Sequence, residues 1–134
     1  MNKFYGFLFS RIKAFRNAFA GIGYVIRTQR NAWIHAISTI LVIFVCLWVK
    51  IDHAKWAIIF LTITTVWAAE FINTALEAVV DLSSPQKHPL AKIGKDVGAA
   101  AVLIATISAV IIGLLIIGPP LFQKITPIIN AMRF

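Results

Sequence analysis

Four of the five acidic residues of this chain, Glu70, Glu77, Asp81 and Asp96, fall within one short stretch, where Asn73, Thr74, Lys92 and Lys95 accompany them. Successive residues of a helix turn by about 100°. On that wheel Glu70, Asn73, Thr74, Glu77 and Asp81 share one narrow face, and Phe71, Ile72, Ala75 and Val79 occupy the opposite one. Stacked carboxylates repel one another unless a divalent cation, a proton or a basic partner relieves them. Lys92 and Lys95 are the basic partners nearby in sequence, and the small residues Gly98 to Ala101 would let their helix approach closely. Carboxylates, lysines and a cation together are the equipment of phosphoryl transfer: charge-neutralised phosphates, a positive clamp and a carboxylate base. The same stripe would also suit a small proton- or cation-coupled transporter. A salt-bridge network that merely pins two helices is the third reading. A Walker-type phosphate loop is excluded, because neither Gly21-Ile22-Gly23 nor the Gly113 to Gly118 segment runs into a Lys-Ser/Thr pair.

The elements that must position this stripe are set by composition. The chain has 134 residues, of which 60% are hydrophobic and 13% charged, with a formal net charge of +8. A soluble domain carries about 25% charged residues. This chain therefore reads as an all-α integral membrane protein of one domain, with its positive charge directed at anionic lipid headgroups and not at nucleic acid. Residues 1–31 carry Lys3, Arg11, Lys13, Arg16, Arg27 and Arg30 among aromatic and aliphatic residues, with no acid. They read as an amphipathic helical region for the membrane surface, and not as a cleavable signal peptide. Residues 32–49, 56–82 and 91–118 read as three membrane-spanning helices, each near or above the length that a hydrocarbon core of about 30 Å requires. Trp33 and Trp48 flank the first, as an aromatic belt would. His35 near its start reads as an interfacial structural group. Cys46 is alone, so it reads as a small buried hydrophobe and forms no intrachain disulfide. Ser83, Ser84, Pro85 and Pro89 mark a loop, and Pro119 and Pro120 are expected to end the third spanning helix, leaving residues 119–134 as a tail.

Charge counting orients the bundle. Residues 1–31 and the 83–96 loop lie on one side of three spans and carry nine Lys and Arg. Lys50, Lys55, Lys124 and Arg133 lie on the other. The positive-inside rule places the N-terminus and the acidic stripe at the cytoplasmic face.

The segment EFINTALEAVVDLSSPQKHPLAKIGKDVGAAAV, from Glu70 to Val102, closely resembles the signature of the small prokaryotic diacylglycerol kinases. That pattern is E-x-x-N-[ST]-A-[IL]-E-x-x-V-D, a loop with H-x-L, then A-K-D-x-x-[AS]-A-A-V. The Arg27-Thr28-Gln29-Arg30-Asn31 run with His35, and His88-Pro89-Leu90-Ala91-Lys92, further resemble the undecaprenol kinase branch. The resemblance implies a homotrimeric helical bundle in the bacterial cytoplasmic membrane. It implies transfer of phosphate from ATP, with Mg²⁺, to the hydroxyl of a lipid alcohol, undecaprenol or diacylglycerol. It makes Glu70 the general base, with Asn73 and Asp81 in support. Glu77, Gln86, His88, Lys95 and Asp96 match nucleotide-holding positions, and Lys92 is a phosphate neighbour. Glu77 and Gln29 match the metal positions, and Arg11 and Ala99 the lipid-contacting ones. The family usually carries Glu where this chain has Gln29, whose neutral carbonyl oxygen Mg²⁺ accepts less readily than a carboxylate.

Overall fold

The computed structural model describes residues 2–84, 86 and 88–131. Pro85, Lys87 and Arg133, which enter the loop reading and the charge count above, lie outside the described residues. Four helices follow one another: α1 Asn2–Thr28, α2 Arg30–Val49, α3 His53–Ser83 and α4 Pro89–Ala131. Three of them, α2, α3 and α4 up to Pro127, are long and apolar enough to cross a membrane.

The breaks between helices have local causes. Gln29 interrupts α1 and α2 with an extended backbone, φ −98° and ψ 118°, and caps α2 without using its side chain. Lys50 ends α2 in the left-handed region, at φ 57° and ψ 55°, and its N–H returns to the Cys46 carbonyl. Asp52 then opens α3 by accepting the Lys55 N–H at 3.0 Å. The Lys55 side chain, hydrogen-bonded to Asp52, holds that carboxyl below the usual carboxylate range. α3 thus begins at His53, earlier than the apolar run alone indicates. At the α3–α4 loop, His88 Nδ1 accepts the Leu90 N–H at 3.2 Å and its carbonyl accepts the Lys92 N–H.

The third spanning helix does not end at Pro119 and Pro120: α4 passes through both, and through Pro127, to Ala131. Proline removes an N–H and crowds the carbonyl four residues earlier, which normally kinks or breaks a helix. Here packing holds both sides of the pair. Ile116 and Ile117 pack against the buried Cys46, Ile51 and Ile59 before the prolines. After them, Lys124 donates to the Trp48 carbonyl and lies 5.4 Å from the centre of the Trp48 ring.

Burial is divided along the bundle. The α2–α3 turn end has the apolar cluster around Cys46. Toward the other end of α3, Glu70, Asn73 and Thr74 are buried, as are Val25 of α1, Ala32 of α2 and Val102 of α4. Large apolar side chains such as Leu41, Phe44, Phe60, Leu61, Leu114 and Leu115 point outward. In water that pattern would be an aggregation liability, whereas in a bilayer it is the ordinary outer surface of a span.

Candidate active site

α3 has 31 residues and at 1.5 Å per residue is about 46 Å long. A hydrocarbon core of about 30 Å uses only some 20 of them. With the His53 end at one edge of the core, Glu70 lies within it, Asn73 close to its far edge, and Glu77 and Asp81 beyond. The polar stripe therefore runs from apolar surroundings into headgroups and water.

Its deepest member is Glu70, only 1% exposed. The Thr74 hydroxyl donates to the Glu70 backbone carbonyl at 2.9 Å, which turns the Thr74 side chain back along the helix. Across the gap to α2, His35 Nε2 stands 3.7 Å from Glu70 Oε2. One turn on, Asn73 Nδ2 donates to Glu77 Oε1 at 3.3 Å, and Gln29 Nε2 donates to Glu77 Oε2 at 3.4 Å. The break between α1 and α2 has a use here. Gln29, freed from helical geometry, reaches across to α3, so one carboxylate ties the α1–α2 junction to the stripe.

Gly98 makes the α4 side of the site. A Cβ built there would collide with Asn73 Oδ1 and lie 3.5 Å from Asn73 Cγ. Only glycine lets α4 approach this closely.

Beyond Glu77 the helices open into a pocket of 670 Å³ lined by Asp81, Ser84, Gln86, His88, Lys92, Lys95 and Asp96, among others. Lys95 Nζ pairs with Asp81 Oδ1 at 2.5 Å, joining α4 to α3 at the mouth. Three side chains with basic groups and two carboxylates around an open pocket can take a polyphosphate with its counter-ion.

The structure thus joins Gln29, Asn73 and Glu77 by hydrogen bonds, sets Glu70 deeper on the same helix against His35, and gathers Asp81, Gln86, His88, Lys92, Lys95 and Asp96 around the adjoining pocket. Arg11 and Ala99 are not gathered with them. Arg11 is exposed on α1, its guanidinium 4.9 Å from the Phe7 ring centre, and Ala99 is exposed on α4. The sequence position of His35 suits an interfacial structural group, yet in the structure it faces the buried carboxylate. The signal available was an ionisable residue inside an otherwise uncharged span, which is a functional marker by default.

The model of the prokaryotic diacylglycerol kinases matches residues 16–117. The chain belongs to that family. It is 45% identical over 111 residues to a protein of Synechocystis sp. named diacylglycerol kinase, covering 82% of this chain and 63% of that protein. It is 41% identical over 109 residues to the undecaprenol kinase of Bacillus subtilis, covering 81% and 89%. It is 34% identical over 96 residues to the diacylglycerol kinase of Escherichia coli K12, covering 66% and 79%. The transporter reading of the carboxylate stripe finds no support in these relatives and is set aside. Membership in a kinase family implies a nucleotide phosphoryl donor and a divalent metal.

Among the described residues no three His, Cys, Asp or Glu side chains converge into a metal cage. Mg²⁺ is commonly held by one or two carboxylates together with substrate phosphates and water, and does not require such a cage. Glu77 is a carboxylate between the buried Glu70 and the pocket, with the Gln29 amide beside it.

Proposed function

We propose that the protein phosphorylates the hydroxyl of a membrane lipid alcohol, undecaprenol or diacylglycerol, using ATP and Mg²⁺. The observation that carries this reading is Glu70: a carboxylate 1% exposed at bilayer depth, with Oε2 lacking any hydrogen-bond partner. An unpartnered buried carboxylate oxygen is costly. It is retained where a substrate group completes it.

The lipid hydroxyl approaches Glu70 from the membrane. Its proton passes to Glu70, its oxygen forms the new bond to the γ-phosphorus, and the bond to the bridging oxygen breaks to release ADP. The nucleotide occupies the pocket of Asp81, Gln86, His88, Lys95 and Asp96, and its phosphates run along α3 past Glu77. Glu70 and Asp81 are eleven positions apart, about 16 Å along the helix, so the pocket and the base are joined through Glu77. Mg²⁺, held by Glu77 with Gln29, would neutralise phosphate charge. Asn73 keeps the Glu77 carboxylate oriented. Catalysis then consists mainly of positioning and charge neutralisation.

The remaining parts of the reading are architectural. α1 lies at the cytoplasmic surface with Arg11 toward lipid headgroups and Ala99 along the acceptor. The active site faces the cytoplasm, and the protein works as a homotrimer. The aromatic and basic residues of α1, the nine-to-four distribution of Lys and Arg and the outward-facing apolar side chains support it.

The test is a lipid panel. Purified protein with ATP and Mg²⁺ should consume ATP only when a lipid alcohol is added, and undecaprenol and diacylglycerol compared at equal mole fraction identify the acceptor. Glu70→Gln should abolish turnover and keep nucleotide affinity. ATP consumption indifferent to the lipid alcohol refutes the function, and an active Glu70→Gln refutes the base.

A further inference from the structure

His35 and Glu70 come from different helices and meet inside the bundle. Their side chains are 11% and 1% exposed. His35 Nε2 and Glu70 Oε2 are both buried without a hydrogen-bond partner. At 3.7 Å they are too far apart for a direct hydrogen bond, which needs ~2.7–3.2 Å, yet within ion-pair range. Among the described residues no Lys or Arg side chain pairs with Glu70: the remaining ion pairs are Lys55–Asp52 and Lys95–Asp81.

The imidazole is held from a second side. Trp67 meets it edge-on, ring centres 6.2 Å apart at 66°, and Phe71 lies 5.9 Å behind Trp67. The Trp67 indole N–H is in turn fixed by the Thr39 hydroxyl at 3.2 Å. Thr39 is one turn along α2 from His35, so α2 holds the ring that packs on its own histidine. His35 also borders an apolar cavity of 200 Å³ between α2, α3 and α4, where Ile34, Val42, Ile59 and Val110 are among the lining residues.

Two polar atoms that face each other across a gap slightly too wide for them, in dry surroundings, form a seat for a third. An oxygen at ~2.8 Å from each would rest to the side of the 3.7 Å line between them. A hydroxyl fits both ends chemically: it donates its hydrogen to Glu70 Oε2 and accepts from an N–H at His35 Nε2.

We infer that His35 and Glu70 together seat the acceptor hydroxyl, His35 turning the oxygen's attacking lone pair away from the carboxylate while Glu70 takes the proton. The inference rests on Glu70 being the base. His35 contributes no proton to the product. Its hydrogen bond fixes direction, which a carboxylate acting alone leaves free to rotate.

The test uses the full chain in phosphatidylglycerol–phosphatidylethanolamine vesicles with ATP and Mg²⁺, undecaprenol and dioleoylglycerol each being offered as acceptor. His35→Ala should lower kcat by roughly 10- to 100-fold, at or below the ~100-fold floor typical of groups that transfer the proton themselves, and leave the KM for ATP unchanged. His35→Gln, which can return an N–H donor to the same place, should recover most of the loss. Equal loss in the two variants, or loss of ATP binding in both, makes His35 structural and overturns the inference. Full turnover in His35→Ala with an inactive Glu70→Gln also overturns it and leaves the base standing. Full turnover in both overturns the inference and the base together.

Discussion

Gly98→Ala is the sharpest small perturbation of the site. The added Cβ would lie well inside contact with Asn73 Oδ1 and 3.5 Å from Asn73 Cγ. To reach ordinary van der Waals separation of ~3.5 Å, the amide oxygen must retreat by about 1 Å. Asn73 is only 8% exposed, and the cleft it lines with Thr65, Ala69 and Ile72 is apolar, so a retreat into it offers the amide no new polar partner. Its amide N–H is already 3.3 Å from Glu77 Oε1, near the outer limit, and a shift of this size breaks it. A hydrogen bond to a charged group is worth about 1.5–3 kcal/mol, which converts to roughly 10- to 100-fold. Gly98→Ala should therefore lower lipid-dependent ATP turnover by at least tenfold with helix content retained by circular dichroism. Gly94→Ala is the control. Its Cβ would meet only Val80 Cγ2 at an ordinary 3.7 Å, and alanine is the better helix former by ~1 kcal/mol. It should leave turnover unchanged and thermal stability equal or higher. If Gly98→Ala matches Gly94→Ala in both turnover and melting temperature, the close approach of α4 to Asn73 has no catalytic meaning and the argument fails.

Two further substitutions address the phosphate end. Gln29→Glu places a second carboxylate beside Glu77, 3.4 Å from it through the present amide contact. It should lower the Mg²⁺ concentration for half-maximal turnover or raise kcat, and a titration unchanged in both would remove Gln29 from the metal site. Lys95→Ala removes the cation that Asp81 holds at the pocket mouth. It should raise the KM for ATP by about tenfold, the scale of one charge-assisted contact, with the KM for the lipid alcohol unaltered. A rise confined to the lipid would move the nucleotide elsewhere.

Much of this molecule was legible in its chain because the signals were local. Three uncharged apolar runs, their Trp flanks and the Ser-Ser-Pro break mark the spans. The 100° turn per residue puts Glu70, Asn73, Glu77 and Asp81 on one side of α3 wherever the helix is placed. α4 departs from the sequence expectation at Pro119 and Pro120, which it passes through. The local rule for proline is sound, but Ile116, Ile117 and Lys124 anchor the helix on both sides of the pair by contacts with α2 and α3.

By itself the sequence determined the chemistry on offer: a helix face of carboxylates and amides, lysines across a loop, and a bilayer to put them in. Helical periodicity and transfer free energy are properties of a segment, and they can be read one segment at a time. Only the tertiary structure decided which helix each group would answer to. It brought Gln29 across 48 positions to Glu77, set Gly98 against Asn73 and turned His35 toward Glu70. Those meetings depend on the crossing of four helices and the few side chains small enough to allow it, and no periodicity within a single helix encodes them.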